Sequence, residues 1–171
     1  MDFIAHGLWG GAVFGRKGKS SWIWAFRWGM APDLIAFGPA IIAGILTGHY
    51  FEWASYPTDG IPRSSINAWS YHAYHVTHSL IVWSAIASGL WVWRKRFPWV
   101  FAASALHILC DIPLHTVNYF PTPYLWPFPT PFHDGVRWAN SRFMLANYAL
   151  LAATYLVFAF RRYRRNKSQR K

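Results

Sequence analysis

Residues 101–117 read FAASALHILCDIPLHTV, an apolar run that carries His107, Asp111 and His115. Their i, i+4, i+8 spacing puts all three on one face of a helix. An Asp at the centre of a membrane helix costs about 2.5–3.5 kcal/mol on insertion scales. Three ionisable groups lining one face of such a run therefore point to a polar task inside an apolar setting. His107 and Asp111, one turn apart, can offer an imidazole and a carboxylate to a single ion. His115 sits a further turn along, about 6 Å up the axis, within reach of a second ion. The competing reading is a structural polar cluster.

The rest of the chain supplies the setting. Apolar stretches cover 22–48, 76–93, 97–116 and 143–160, each near the roughly 20 residues needed to cross a bilayer core. A fifth stretch, 2–14, is Gly-rich and too short to span, so a re-entrant or interfacial helix is expected there. The fold class is accordingly all-α. We expect a polytopic membrane helical bundle of about four transmembrane helices plus that short N-terminal helix. Residues 1–160 form one membrane-embedded domain and 161–171 a basic tail. Of the 171 residues, 54% are hydrophobic and 20% aromatic, but only 13% are charged. A soluble domain is about 25% charged, so this balance excludes an ordinary soluble enzyme. The single Cys110 excludes an intramolecular disulfide framework and a Cys-based zinc module. No Lys or Arg precedes the first apolar stretch, unlike a cleaved signal peptide.

Charge orients the bundle. The net charge is +11, and fourteen of the 17 Lys and Arg fall at 16–27, where the first span begins, at 94–96, or at 161–171. The positive-inside rule places those segments and the C-terminus in the cytoplasm. Loops 50–71 and 117–140 then face the other side. Topology thus accounts for the basic residues, and no nucleic-acid reading motif accompanies them. The basic tail is suited to anionic lipid. Loop 117–140 contains NYFPTPYLWPFPTPFHDGVRW, whose five prolines forbid a regular helix. It is either a stiff aromatic cap or a substrate wall.

Other ionisable residues join the 107–115 face. His72, His75 and His78 recur at i, i+3, i+6, and Asp33 sits inside the first span. Counting at about 1.5 Å per residue from the cytoplasmic turns puts His6 and His107 near 16 Å, Asp111 and Asp33 near 22–24 Å, and His78 and His115 near 27–28 Å. These heights form one layer, with His49 above it. The first span is overlong and must tilt or bend, with Pro32 and Pro39 as candidates. A mixed imidazole and carboxylate set suits zinc, with manganese or iron as alternatives.

In order, FIAHGLWGGAVF (His6), MAPDLIAFGP (Asp33), THSL at 77–80, HILCD with PLH (His107, Asp111, His115) and YLWPF at 124–128 give the chain a likeness. Over about residues 1–130 it resembles the bacterial YdjM-like inner-membrane proteins described as membrane-bound metal-dependent hydrolases. The family's PDxDH run keeps only its first Asp here. The family's His five residues before the THS histidine is replaced by Ala73. A looser likeness connects the His/Asp array to zinc-dependent phospholipase C. The resemblance implies a bacterial inner-membrane hydrolase, with metal ligands His6, Asp33, His78, His107 and Asp111, and His75 and His115 as additional ones. Asp33 is a ligand, the general base, or a bridge between two ions, since no separate Glu lies in the layer and Glu52 belongs to the outer loop. A lipid or other amphiphilic substrate, such as a phosphoester, fits the membrane setting. A metal or proton transporter and a non-enzymatic membrane scaffold are the alternatives.

Overall fold

A computed structural model describes residues 1–48, 67–117 and 121–169; His49, Glu52 and most of loop 50–71 lie outside the described residues. Among the described residues the protein is all-helical, with six α-helices. They are α1 (Phe3–Phe14), α2 (Lys19–Thr47), α3 (Ala68–Thr77), α4 (Leu80–Arg94), α5 (Ala102–Asp111) and α6 (Ser141–Ser168). Single turns of 3-10 helix flank α5, at Trp99–Phe101 and Ile112–Leu114.

The starts of four helices are written in the sequence. Asp2, Asn67, Ser79 and Asn140 each accept a hydrogen bond from a backbone N–H of the first turn of α1, α3, α4 and α6. Such caps are worth about 0.5–2 kcal/mol apiece. The Ser79 cap divides the 76–93 stretch between two helices. The chain breaks at His78–Ser79 and turns by 61° between α3 and α4. The histidines 72, 75 and 78 therefore do not share one helical face. A second correction concerns 97–116, which forms a shorter helical run, Trp99–Leu114. Pro113 lacks the N–H that would continue α5, and the chain is extended by His115, at φ −111° and ψ 145°. His115 is therefore not on the α5 face. At the C-terminus, α6 carries the basic residues on to Ser168 as continuous helix.

Two helices, α2 and α6, are long and apolar enough to cross a membrane, and the bent α3–α4 pair makes a third if taken as one span. Much of their apolar surface has no protein against it: Ile42, Leu46, Trp93, Leu145, Leu156 and Phe160 are all exposed.

The interior is built on α1, α2 and α5. α1 packs along α2, and α5 lies against both. Small residues let the backbones approach. A side-chain carbon at Gly29 would stand 2.6 Å from the His6 carbonyl oxygen, and one at Gly10 2.7 Å from the Ala25 carbonyl oxygen. The two prolines of α2 do a second job. Each removes the N–H that would have bonded the carbonyl four residues earlier, leaving Trp28 O and Ile35 O to be satisfied elsewhere. Ser104 Oγ of α5 donates to Trp28 O at 3.0 Å, and Trp69 Nε1 of α3 donates to Ile35 O at 3.2 Å. So Pro32 and Pro39 dock the two neighbouring helices onto α2, which is one continuous helix through both. α6 joins through α1: Trp9 Nε1 donates to Asn147 Oδ1 at 2.9 Å, and Tyr155 Oη donates to Leu8 O at 2.8 Å.

The proline-rich loop folds back on the two chain breaks. Leu80 N donates to Tyr124 O at 2.9 Å, and Ser79 Oγ to Trp126 O. Gly135 N, Val136 N and Trp138 N donate to His115 O, Pro113 O and Leu114 O at 3.0, 2.9 and 3.1 Å. The loop therefore clamps the segments that carry His78 and His115.

Candidate metal centre

Four donors from three places in the chain converge: Asp33 of α2, His78 at the α3–α4 break, and His107 and Asp111 of α5. His78, His107 and Asp111 are fully buried, whereas the Asp33 side chain retains 17% exposure.

Each imidazole is held by its other nitrogen. His107 Nδ1 lies 2.7 Å from Gly29 O. A carbonyl can only accept, so this nitrogen carries the proton and Nε2 presents a lone pair. His78 Nδ1 lies 3.2 Å from Tyr74 O and 3.1 Å from Thr77 Oγ1, which fixes the same tautomer. The two Nε2 atoms then face each other at 3.2 Å. Two lone pairs repel at that distance unless a cation, a proton or a metal ion, lies between them. Holding one nitrogen by a carbonyl to aim the other at a metal is the usual outer-shell device.

The carboxylates complete the cage. Asp33 Oδ1 lies 3.5 Å from His78 Nε2 and 3.6 Å from His107 Nε2. Asp111 Oδ2 lies 3.7 and 3.1 Å from the same two nitrogens. A tetrahedral ion with bonds of about 2.0–2.1 Å has ligand–ligand edges of roughly 3.3–3.4 Å. Five of the six edges here measure 3.1–3.7 Å, and all four donors lie within 4.8 Å of one another. Charge agrees with shape. Two buried carboxylates are costly without compensation, and a divalent ion neutralises both. The residues fit a divalent metal.

Asp111 also serves a second set of groups through its other oxygen. Oδ1 lies 2.9 Å from His6 Nε2, 2.9 Å from the Met1 amine nitrogen and 3.8 Å from His115 Nε2. His6 stacks on His107 with ring centroids 3.6 Å apart. His115 is oriented by Tyr74 Oη, 2.9 Å from its Nδ1.

The structure thus brings His6, Asp33, His78, His107, Asp111 and His115 together around one carboxylate. His75 is not among them. Its Nδ1 lies 2.8 Å from Tyr71 O and its ring packs on Tyr71, because the histidine face ends where α3 ends. The structure leaves His75 apart from this cluster. Sequence reasoning missed Gly29, Thr77 and Tyr74, the groups that orient the ligands. A buried Tyr one turn before the THS histidine was the available signal for Tyr74.

Neither family models, nor curated proteins, nor solved structures provide a match to this chain.

Proposed function

We propose that the protein is a membrane-embedded, metal-dependent hydrolase acting on an amphiphilic ester or phosphoester. The observation that carries this reading is the cage of Asp33, His78, His107 and Asp111, with its near-tetrahedral edges and its two Nε2 atoms facing each other. A divalent ion held here would supply Lewis acidity and, with a coordination position beyond the protein donors, would acidify a water. Zinc suits the donor set best, with manganese or iron as alternatives. Asp33 is the least buried donor, so its carboxylate is the one placed to take a proton from the attacking water. The resemblance to the YdjM-like family supports hydrolysis. The convergence of the ligands on one closed cluster favours an enzyme over a transporter, which needs a chain of polar groups from face to face.

The lipid reading has its own support. A groove of about 260 Å³ between α2 and α3 is lined by Ile35, Trp69, His72, Ala73, Val76 and Thr77. Thr77 touches the His78 ligand at its Nδ1, so an apolar chain in the groove would lie beside the cage. The chain is read as a bacterial inner-membrane protein of about four spans, with anionic lipid at its basic C-terminal end. Exposed leucines on α2 and α6 support a lipid-facing surface. In a Cys110→Ala background, impermeant thiol reagent added from outside should label His133→Cys and spare Asn166→Cys. Outside labelling of Asn166→Cys would reverse the topology.

The test of function is direct. Protein purified in detergent without chelator, then offered zinc, should hold metal by elemental analysis. It should also hydrolyse members of a panel of short-chain phospholipids and phosphoesters. A chain that holds no metal ends the hydrolase reading.

A further inference from the structure

We infer that the proline-rich segment 121–138 is re-entrant, seated among the acyl chains of the non-cytoplasmic leaflet rather than standing in water as a cap above it. This rests on the membrane reading of the chain and asks nothing of the metal.

Depth is the first argument. The segment is tied to helices too short to reach the far surface. α4 runs only from Leu80 to Arg94, and the basic residues 94–96 mark its cytoplasmic end. Leu80 then stands about 21 Å above Arg94, in a hydrocarbon core about 30 Å thick. Leu80 N donates to Tyr124 O at 2.9 Å, and Ser79 Oγ donates to Trp126 O. Tyr124 and Trp126 share that depth, roughly 9 Å below the far boundary. The second clamp agrees. Val136 N donates to Pro113 O at 2.9 Å, near the end of the run Trp99–Leu114, which rises about 24 Å. A side-chain carbon at Gly135 would collide with Pro113 O, so the loop lies directly against that end.

Chemistry is the second argument. Irregular backbone survives at membrane depth only where its polar groups are satisfied. Five prolines between 121 and 131 have no N–H to satisfy. The N–H groups of Tyr124, Trp126 and Phe128 donate within the loop, to Thr122 O, Pro123 O and Leu125 O, at 2.9, 3.0 and 2.9 Å. The surface matches. No charged residue occurs from Pro121 to Phe132, and Phe128, Phe132 and Val136 are 63, 47 and 58% exposed. Without a cation in that stretch, the patch fits acyl chains and not an anionic headgroup. Charge resumes at Asp134, exposed where the loop turns back at the headgroups.

Quenching tests the seating. Full-length Cys110→Ala protein carrying Phe128→Cys, Val136→Cys, Leu150→Cys or Asn166→Cys is labelled with an environment-sensitive NBD fluorophore and reconstituted in phosphatidylcholine vesicles. A nitroxide on the lipid acyl chains is compared with iodide present on both faces. Leu150, exposed midway along the apolar part of α6, sets the lipid response, and Asn166 near its basic end sets the water response. Phe128→Cys and Val136→Cys should follow Leu150→Cys, with blue-shifted emission, most of the fluorescence lost to the lipid nitroxide and little lost to iodide. Iodide quenching at the level of Asn166→Cys overturns the inference and leaves the membrane reading standing. Quenching by neither agent places protein, such as a second copy of this chain, over the patch and overturns it as well. A Leu150→Cys probe that iodide reaches and the lipid nitroxide does not removes the membrane reading, and this inference with it.

Discussion

Asp111→Asn is expected to accumulate in the membrane, fold, and purify without metal or hydrolytic activity. Asn keeps the shape of the side chain and removes the negative charge. Loss of an outer-shell partner typically costs about 10–100-fold in metal affinity. Loss of a charged ligand that two nitrogens of the cage face directly should cost at least on the order of 100-fold. Stability should follow the metal. Ligand held at about 1,000 times its Kd stabilises the folded state by about 4 kcal/mol. Chelation should therefore lower the Tm of the wild type and leave that of Asp111→Asn unchanged. If Asp111 only anchored a polar network, chelator would change neither protein, and Asn would weaken the fold. Equal chelator responses in the two proteins would sink the ligand assignment.

The helical class and the identity of most cage residues were legible because both rest on local chemistry. Long apolar runs dictate helices, and an ionisable group within such a run needs a reason. The i, i+4 pair of His107 and Asp111 survives in the structure because α5 is regular over those residues. The extrapolations that failed did so where a helix stops. His75 stays with Tyr71 on α3, while His78 closes that helix and Ser79 caps the next. Ser79 and Pro113 likewise interrupt 76–93 and 97–116, so among the described residues two helices, or three with the bent pair, are long and apolar enough to span. His115 nevertheless reaches Asp111, by an extended backbone clamped to the proline-rich loop rather than by helical periodicity. That kind of tertiary placement leaves no periodic trace. Nor do backbone acceptors: the carbonyls of Gly29 and Tyr74, which aim His107 and His78, are main-chain atoms that every residue carries.

Gly29→Ala should therefore harm the metal centre without touching a ligand. In an exposed helix, Ala is favoured over Gly by about 1 kcal/mol. At Gly29 the sign should reverse. The new carbon would stand 2.6 Å from His6 O and 3.1 Å from Gly7 Cα, both backbone atoms that no rotamer change can move aside. α1 and α2 must separate, and overpacking of this kind costs about 1–3 kcal/mol. Separation also displaces the Gly29 carbonyl that accepts from His107 Nδ1 at 2.7 Å, and it carries His6 away from Asp111. Metal affinity should fall by about 10–100-fold, the range for a lost outer-shell partner. Gly89→Ala is the control, since Gly89 lies on exposed α4 with nothing within 4 Å of the added carbon. It should melt at or slightly above the wild type and keep full metal content. Measuring Tm and metal titrations for the two variants side by side tests the link between helix approach and ligand orientation. A Gly29→Ala protein with wild-type metal affinity would show that the α1–α2 contact does not set the geometry of the cage.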